Sequence, residues 1–129
     1  MRLINLGLKE KVTVVGAAEI NALFVIRQIE TAVKTIKEKY GRVDALINNV
    51  SIIDGIGLNT CIDNLVYSLK LNMVCFFTIL KYCLPMIKKA NSNILNIVSK
   101  AAQTGQGNAS GYASSKRGLF SLQENRYLI

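Results

Sequence analysis

A chain of 129 residues has room for one modest domain and not for two full-sized ones. With 50% hydrophobic residues, 19% charged residues and a single proline, it is neither disordered nor collagen-like nor of low complexity. Sixteen Lys and Arg against eight Asp and Glu give a formal charge of +8, and the lack of His rules out Cys2His2 zinc fingers, Ser-His-Asp triads and imidazole bases.

Lys11 to Val15 is a β-branched run ending at Gly16, which predicts a buried strand entering a turn. Ala22 to Tyr40 has helical spacing. Ile26, Ile29, Val33 and Ile36 recur at three and four residues, Lys34, Lys37 and Lys39 fall on other faces, and Gly41 marks the stop. Val43 to Asn48 reads as a second strand, followed by a loop from Asn49 to Asn59 with turn-forming sites at Asp54-Gly55 and Gly57. Asp63 is the predicted N-cap of a long helix running to about Lys89. Leu65, Leu69, Met73, Phe76, Phe77 and Leu80 form its predicted apolar face, and Pro85 is expected to bend or end it. Asn93 to Val98 is a third strand, and a polar, Gly-rich loop from Gln103 to Gly111 leads into a last helix from about Tyr112. Strands alternating with helices predict α/β layering around a parallel sheet, in one domain spanning residues 1–129 without internal repeats.

The basic residues, among them Lys70, Lys81, Lys88, Lys89, Lys100 and Arg117, are scattered rather than massed, and read as solvated helix faces. No nucleic-acid-binding motif accompanies them, so no nucleic-acid partner is expected. Cys61, Cys75 and Cys83 are odd in number and lack CxxC spacing, as expected of small buried hydrophobes in a reducing compartment, and no metal site is read from them. Met1 to Lys9 lacks the apolar stretch of a secretory signal, and the apolar segment Leu65 to Ile87 is interrupted by Lys70, Asn72 and Lys81. A cytoplasmic protein with no membrane partner is the expectation.

In open parallel sheets, ligands collect where strands end and loops feed into helices, which points to the segments after Val15, Asn48 and Val98. The most informative stretch is Ser99 to Lys116. Tyr112-Ala-Ser-Ser-Lys116 puts a phenol and an ammonium on one face of a helix start. A phenol with a pKa near 10 is a poor acid or base at neutral pH, and a cation beside it favours the phenolate. Bringing it near 7 takes roughly 4 kcal/mol, which asks for a close cation and a sheltered site. The positive end of the helix acts in the same direction. Ser99, at the end of the preceding strand, is placed to hydrogen-bond the oxygen that the tyrosine protonates.

These residues resemble the active-site segment of the short-chain dehydrogenase/reductase family. Val43-Asp44-Ala45-Leu46-Ile47 followed by Asn48-Asn49-Val50-Ser51 is similar to that family's Asn-Asn-Ala-Gly element, and Asn72 falls at the place of its asparagine in the long helix. Ser99 to Tyr112, with Ile53-Asp54-Gly55-Ile56-Gly57-Leu58, most resembles the branch of L-fucose dehydrogenases. The resemblance implies a Rossmann-like three-layer α/β/α fold, and hydride transfer between NAD or NADP and an alcohol or carbonyl substrate, with a sugar as one option. In that reading Tyr112 is the general acid/base, and Lys116 lowers its pKa while holding the nicotinamide ribose. Ser99 orients the substrate oxygen and Asn72 holds a water in a proton relay. Asn48, Asn49, Val50 and Ser51 line the adenosine side of the cofactor, and Gly16 lies at its phosphates. The family also implies a homo-oligomer, joined through the long helix and the catalytic helix, with Phe76, Phe77, Leu80 and Phe120 as core or contact residues.

The sequence departs from the family's pattern in two ways. Where the family has Thr-Gly-x-x-x-Gly-x-Gly, this chain reads Val15-Gly16-Ala17-Ala18-Glu19-Ile20-Asn21-Ala22, so side chains replace glycines beside the expected pyrophosphate and Glu19 adds a repelling charge. The 32 residues from Gly16 to Asn48 are also too few for the helix, strand, helix and strand expected there, so a helix and a strand are missing, and an apolar sheet edge beside the first strand is expected to be left bare. The family domain is close to double this length, and strands and a substrate-covering segment that follow its catalytic helix are not in this sequence. Two readings therefore stand: an enzyme working through Ser99, Tyr112 and Lys116, or a non-catalytic remnant serving as an oligomerising module.

Overall fold

The computed structural model describes residues 2–3, 11–16, 22–105 and 107–124. Among the described residues, four strands form one sheet in the order β1-β2-β3-β4. They are β1 (Arg2–Leu3), β2 (Thr13–Gly16), β3 (Ala45–Asn48) and β4 (Asn93–Asn96). β2, β3 and β4 are parallel and in register, so that Gly16, Asn48 and Asn96 end the three strands side by side. β1 pairs antiparallel with β2, Arg2 opposite Val15 and Leu3 opposite Val14. The edge of β2 expected to be bare is thus partly paired by the N-terminal segment of the same chain. β2 and β3 start two residues later than predicted, at Thr13 and Ala45, and β4 ends two residues earlier, at Asn96.

Helix α1 spans Ala22–Tyr40 as predicted, and Gly41 stops it in the left-handed region at φ +64°, its N–H bonded to the Lys37 carbonyl at 3.0 Å. The long helix is built in three pieces: α2 (Ile62–Leu69), a π-turn (Lys70–Val74) and α3 (Cys75–Ala90). It begins one residue before the expected cap. Cys61 occupies the N-cap position in extended conformation without a side-chain bond, and Asp63 instead lies in the first turn, where its carboxylate faces the helix's positive end. In the π-turn the Cys75 N–H reaches back to the Lys70 carbonyl, five residues away. That extra residue rotates the apolar stripe, so the buried face carries Leu71, Cys75, Phe76, Ile79, Cys83 and Met86, while Phe77 is 51% exposed. Pro85 neither ends nor breaks α3, which runs on to Ala90. It sits on the exposed side, where the carbonyl it leaves unpaired faces water. The predicted loop after β4 contains a single-turn helix, α4 (Ala101–Thr104), and α5 (Ser110–Glu124) starts ahead of Tyr112.

Val14, Leu46 and Ile94 turn toward α1 and α3 and join Ile29, Val33, Ile36, Leu71, Cys75, Ile79, Cys83, Met86 and Ile87 in the main core. A second cluster, Val50, Phe76 and Leu119, holds α5 against the long helix. The alternating residues of the other sheet face are less covered: Ala45 and Ile47 are half-buried and Leu95 is 51% exposed. Of the three expected layers, the sheet and one helical layer are therefore seen among the described residues. Residues Ala17, Ala18, Glu19, Ile20 and Asn21, where the glycine departures fall, lie outside them. The helix Ile62–Ala90 is long and apolar enough to cross a membrane by length and composition, yet half of its most apolar window is buried within the fold.

Asp44 ties the start of β3 to the start of β2. Its carboxylate accepts the Val12 N–H at 2.9 Å and the Arg42 guanidinium, with Lys11 Nζ 3.5 Å away. Burial pushes this carboxyl up, but the Arg42 and Val12 hydrogen bonds and the two cations outweigh it, and the net pKa is lowered. A depressed carboxylate pKa contributes stability that is present above the unfolded-state value and is lost as pH falls through the folded value. Asp44→Asn is therefore expected to cost about 1–2 kcal/mol at pH 7 in urea unfolding, and to flatten the loss of stability that the parent chain shows below about pH 4.

Candidate active site

The ends of β3 and β4 lie against the first turns of α5, where Lys116 bonds the Val50 and Ile97 carbonyls and Tyr112 meets Ser51. Asn48, 1% exposed, donates through Nδ2 to Asn96 Oδ1 at 2.7 Å and cross-links the ends of β3 and β4. Its own Oδ1 is buried without a partner among the described residues. Asn49 turns out to solvent and Val50 turns in, at 1% exposed. Gly16 sits opposite Asn48 in the sheet register.

Lys116 and Tyr112 lie on one face of α5, as their spacing predicts. The Lys116 ammonium is 5.7 Å from the Tyr112 ring centroid and 5.0 Å from that of Phe76. It is 1% exposed with no carboxylate bonded to it among the described residues, and it donates instead to the carbonyls of Val50 at 3.0 Å and Ile97 at 3.3 Å. Burial pushes its pKa down, and the Tyr112 phenol partly offsets this.

The Tyr112 ring is 6% exposed. Burial raises its pKa, while the hydroxyls of Ser51 and Ser99 and the charge of Lys116 lower it, and the lowering wins. Ser99, half-buried past the end of β4, also accepts the Ala101 N–H at 3.2 Å and so starts α4. Serine, tyrosine and lysine thus converge on one spot from β4 and α5.

Asn72 lies at the centre of the π-turn and is fully buried. Its Oδ1 accepts the Ile52 N–H at 2.8 Å, and its Nδ2 donates to the Ile52 carbonyl at 3.0 Å and to Ser68 Oγ at 3.3 Å. Both amide hydrogens are committed, so its side chain clamps the loop after β3. Only an Oδ1 lone pair is left for the relay water that the resemblance assigns to it.

Three features escape sequence reasoning. Ser51, read as an adenosine-side residue, faces the phenol: its Oγ donates to Tyr112 Oη at 3.4 Å. The one signal in the sequence was a hydroxyl where the resembled motif has glycine. Phe76 lies under the ammonium, which helical periodicity cannot distinguish from core packing. Gly111 brings α5 against α2 so closely that a Cβ there would stand 3.0 Å from Ser68 Oγ and 3.3 Å from Ile56 Cβ, while its N–H bonds the Ile56 carbonyl at 3.2 Å.

The sequence profile described as short chain dehydrogenase matches residues 14–126. A 3-oxoacyl-[acyl-carrier-protein] reductase, FabG, of Thermotoga maritima is 30% identical over 97 residues, covering 74% of this chain and 39% of that protein. L-fucose dehydrogenase of Mus musculus is 28% identical over 92 residues, covering 70% and 34%. Among solved structures, the Cj0485 dehydrogenase superposes with a TM-score of 0.73 at 40% identity, over 81% of this chain and 40% of that one. The ligand-free aldohexose dehydrogenase of Thermoplasma acidophilum has the same fold, with a TM-score of 0.76 at 20% identity over 89% of this chain and 49% of that one. The chain spans less than half the length of each of these relatives.

The tight seat of Gly111 yields a test of how α5 is held. Gly111→Val is expected to cost about 2 kcal/mol in urea unfolding, since neither Ser68 nor Ile56 has room to yield freely. Combining it with Ser68→Gly should recover part of that loss as a favourable coupling energy in a double-mutant cycle.

Proposed function

Because the chain belongs to the short chain dehydrogenase family, we propose that the residues at its strand ends are arranged for hydride transfer between a nicotinamide nucleotide and an alcohol or carbonyl carbon, with Tyr112 as general acid/base. The observation that carries this reading is the convergence of Ser99, Tyr112 and Lys116 around a phenol whose pKa is lowered. Two polar groups fit such a cofactor: the Asn48 Oδ1, buried without a partner among the described residues, and the one ammonium hydrogen of Lys116 that Val50 and Ile97 leave over. Asn48, Val50, Tyr112 and Lys116 are the residues that would hold it. When bound, the nicotinamide supplies or takes the hydride.

The chain's own residues handle the proton. In the oxidising direction the Tyr112 phenolate takes the proton from the substrate hydroxyl as the carbonyl forms. In the reducing direction the neutral phenol returns a proton to the developing alkoxide. Ser99 holds the substrate oxygen against the phenol, and Lys116 keeps the phenolate within reach of neutral pH through its charge. A sugar hydroxyl is the substrate class we favour, supported by the likeness to L-fucose dehydrogenase. NAD and NADP both remain candidates under this reading.

The first experiment is a titration of NADH and NADPH into the 129-residue chain, read by nicotinamide fluorescence. A saturable blue shift is expected, and no response at millimolar nucleotide overturns the reading. Where turnover is found, Tyr112→Phe is expected to lower kcat at least about 100-fold without unfolding the chain. The oxidation rate should rise with pH through the Tyr112 pKa, because the base form is required, and the reduction rate should fall through it. Lys116→Met is expected to move both limbs to higher pH.

A second reading, association of two copies, is favoured by a specific surface. Met73, Val74, Phe77, Gly118 and Leu122 line an open apolar groove between the long helix and α5, and Phe77 stands half out of it. We propose that a second copy of this chain covers the groove, joining the two helices named by the resemblance. Sedimentation velocity is expected to show a dimer or larger species, converted to monomer by Phe77→Glu. A parent chain that is monomeric at 100 μM overturns the proposal.

A further inference from the structure

Ser51 sits between two residues whose backbones are clamped. On one side, the Val50 carbonyl accepts the Lys116 ammonium at 3.0 Å. On the other, Asn72 holds both the N–H and the carbonyl of Ile52, at 2.8 and 3.0 Å. An exposed loop serine would ordinarily sample several rotamers and stay solvated. Here its backbone is fixed from both sides, and its Oγ lies 3.4 Å from Tyr112 Oη as donor. The clamps come from the π-turn and from α5, so the long helix and the catalytic helix jointly aim this hydroxyl.

We propose that Ser51 is a positioning residue for the Tyr112 phenol: its hydroxyl donates to the phenol oxygen, fixes the ring's tilt and stabilises the ionised form. The proposal rests on the reading of Tyr112 as the acid/base, and assigns this chain a phenol partner where the resembled motif carries glycine. The two serines then divide the work. Ser99, tied to the start of α4 through the Ala101 N–H, flanks the phenol from the β4 side. Ser51, at the surface, flanks it from the β3 side, so the phenol oxygen is gripped between two loops that leave neighbouring strands. Lys116 on α5 is the one charged group acting on the phenol among the described residues, and no carboxylate there does. Burial lowers the pKa of Lys116 and the Tyr112 phenol partly offsets this. The lysine is the same in parent and variant, so the difference between them reads the Ser51 hydroxyl.

The test reads the phenol directly and needs neither cofactor nor turnover. The 129-residue chain is labelled with 13Cζ-tyrosine, the Tyr112 resonance is assigned by its loss in Tyr112→Phe, and its titration is followed by NMR. Ser51→Ala is expected to weaken the acidity of Tyr112 about three- to tenfold, a shift of half to one pH unit upward. Ser51→Thr, which keeps the hydroxyl, is expected to titrate like the parent. If Ser51→Ala fails to fold, Ser51→Gly takes its place. A Tyr112 titration that superimposes on the parent in the Ala or Gly variant overturns the proposal. An equal shift in the Thr variant does so too, because packing rather than the hydroxyl would then be responsible. Failure of nucleotide binding in the fluorescence titration, with the NMR shift present, removes the dehydrogenase reading and leaves the Ser51 contact standing.

Discussion

The buried ammonium of Lys116 is the constraint around which the ends of β3 and β4 and the start of α5 are arranged. An unpaired charge taken out of water costs several kcal/mol, and among the described residues no carboxylate compensates for it. What compensates is the end of the sheet: a carbonyl from the loop after β3, a carbonyl from the residue after β4, and the faces of two aromatic rings. Those carbonyls are free because the strands stop pairing at Asn48 and Asn96. The lysine therefore converts two frayed strand ends into a fixed socket. It also locks α5 against them, across 66 and 19 residues of chain.

Once that helix is locked, the phenol's environment follows. Tyr112 lies one turn earlier on the same face, where burial alone would make it a weaker acid. Two hydroxyls and a cation reverse the sign. The long helix contributes without touching the phenol. Its π-turn brings Asn72 inward to hold Ile52, and the same turn sets Phe76 beneath the ammonium. A regular α-helix through these residues would carry the phase of its first half into the second. A stripe such as Leu69, Met73, Phe77 would then meet the core, as helical periodicity read from the sequence expects. The inserted residue sends Phe77 outward instead, into the groove that we assign to a second copy.

Much of this was legible in the sequence because it is local. The spacing of Ile26, Ile29, Val33 and Ile36 gave α1 its range, and the four-residue step from Tyr112 to Lys116 fixed their common face. What was not legible depends on contacts between distant segments. Asn72 could be placed on the long helix, but its commitment to Ile52 requires knowing how the loop returns. Asp63 had the chemistry of a cap, yet Cys61 took the position because the chain enters the helix earlier. Pro85 reads as a helix breaker in isolation and is tolerated because its lost hydrogen bond faces solvent. The strand β1 was invisible for another reason: two residues are too short for any alternation to show, and its pairing with β2 is defined only by register.

The two halves of the expected cofactor pocket stand on different footings. Everything that shapes the phenol comes from the ends of β3 and β4, the long helix and α5, through bonds that close on one another: Lys116 to Val50 and Ile97, Asn72 to Ile52, Asn48 to Asn96. None of these bonds involves the segment after β2, where only Gly16 remains of the family's glycines. Under the proposed function, replacing phosphate-binding glycines would weaken nucleotide affinity, while the bonds just named, which set the acidity of Tyr112, lie on other segments. On the proposed function, the acid/base group and the affinity for the nucleotide are therefore separable, because a phenol held by these bonds does not by itself imply tight cofactor binding.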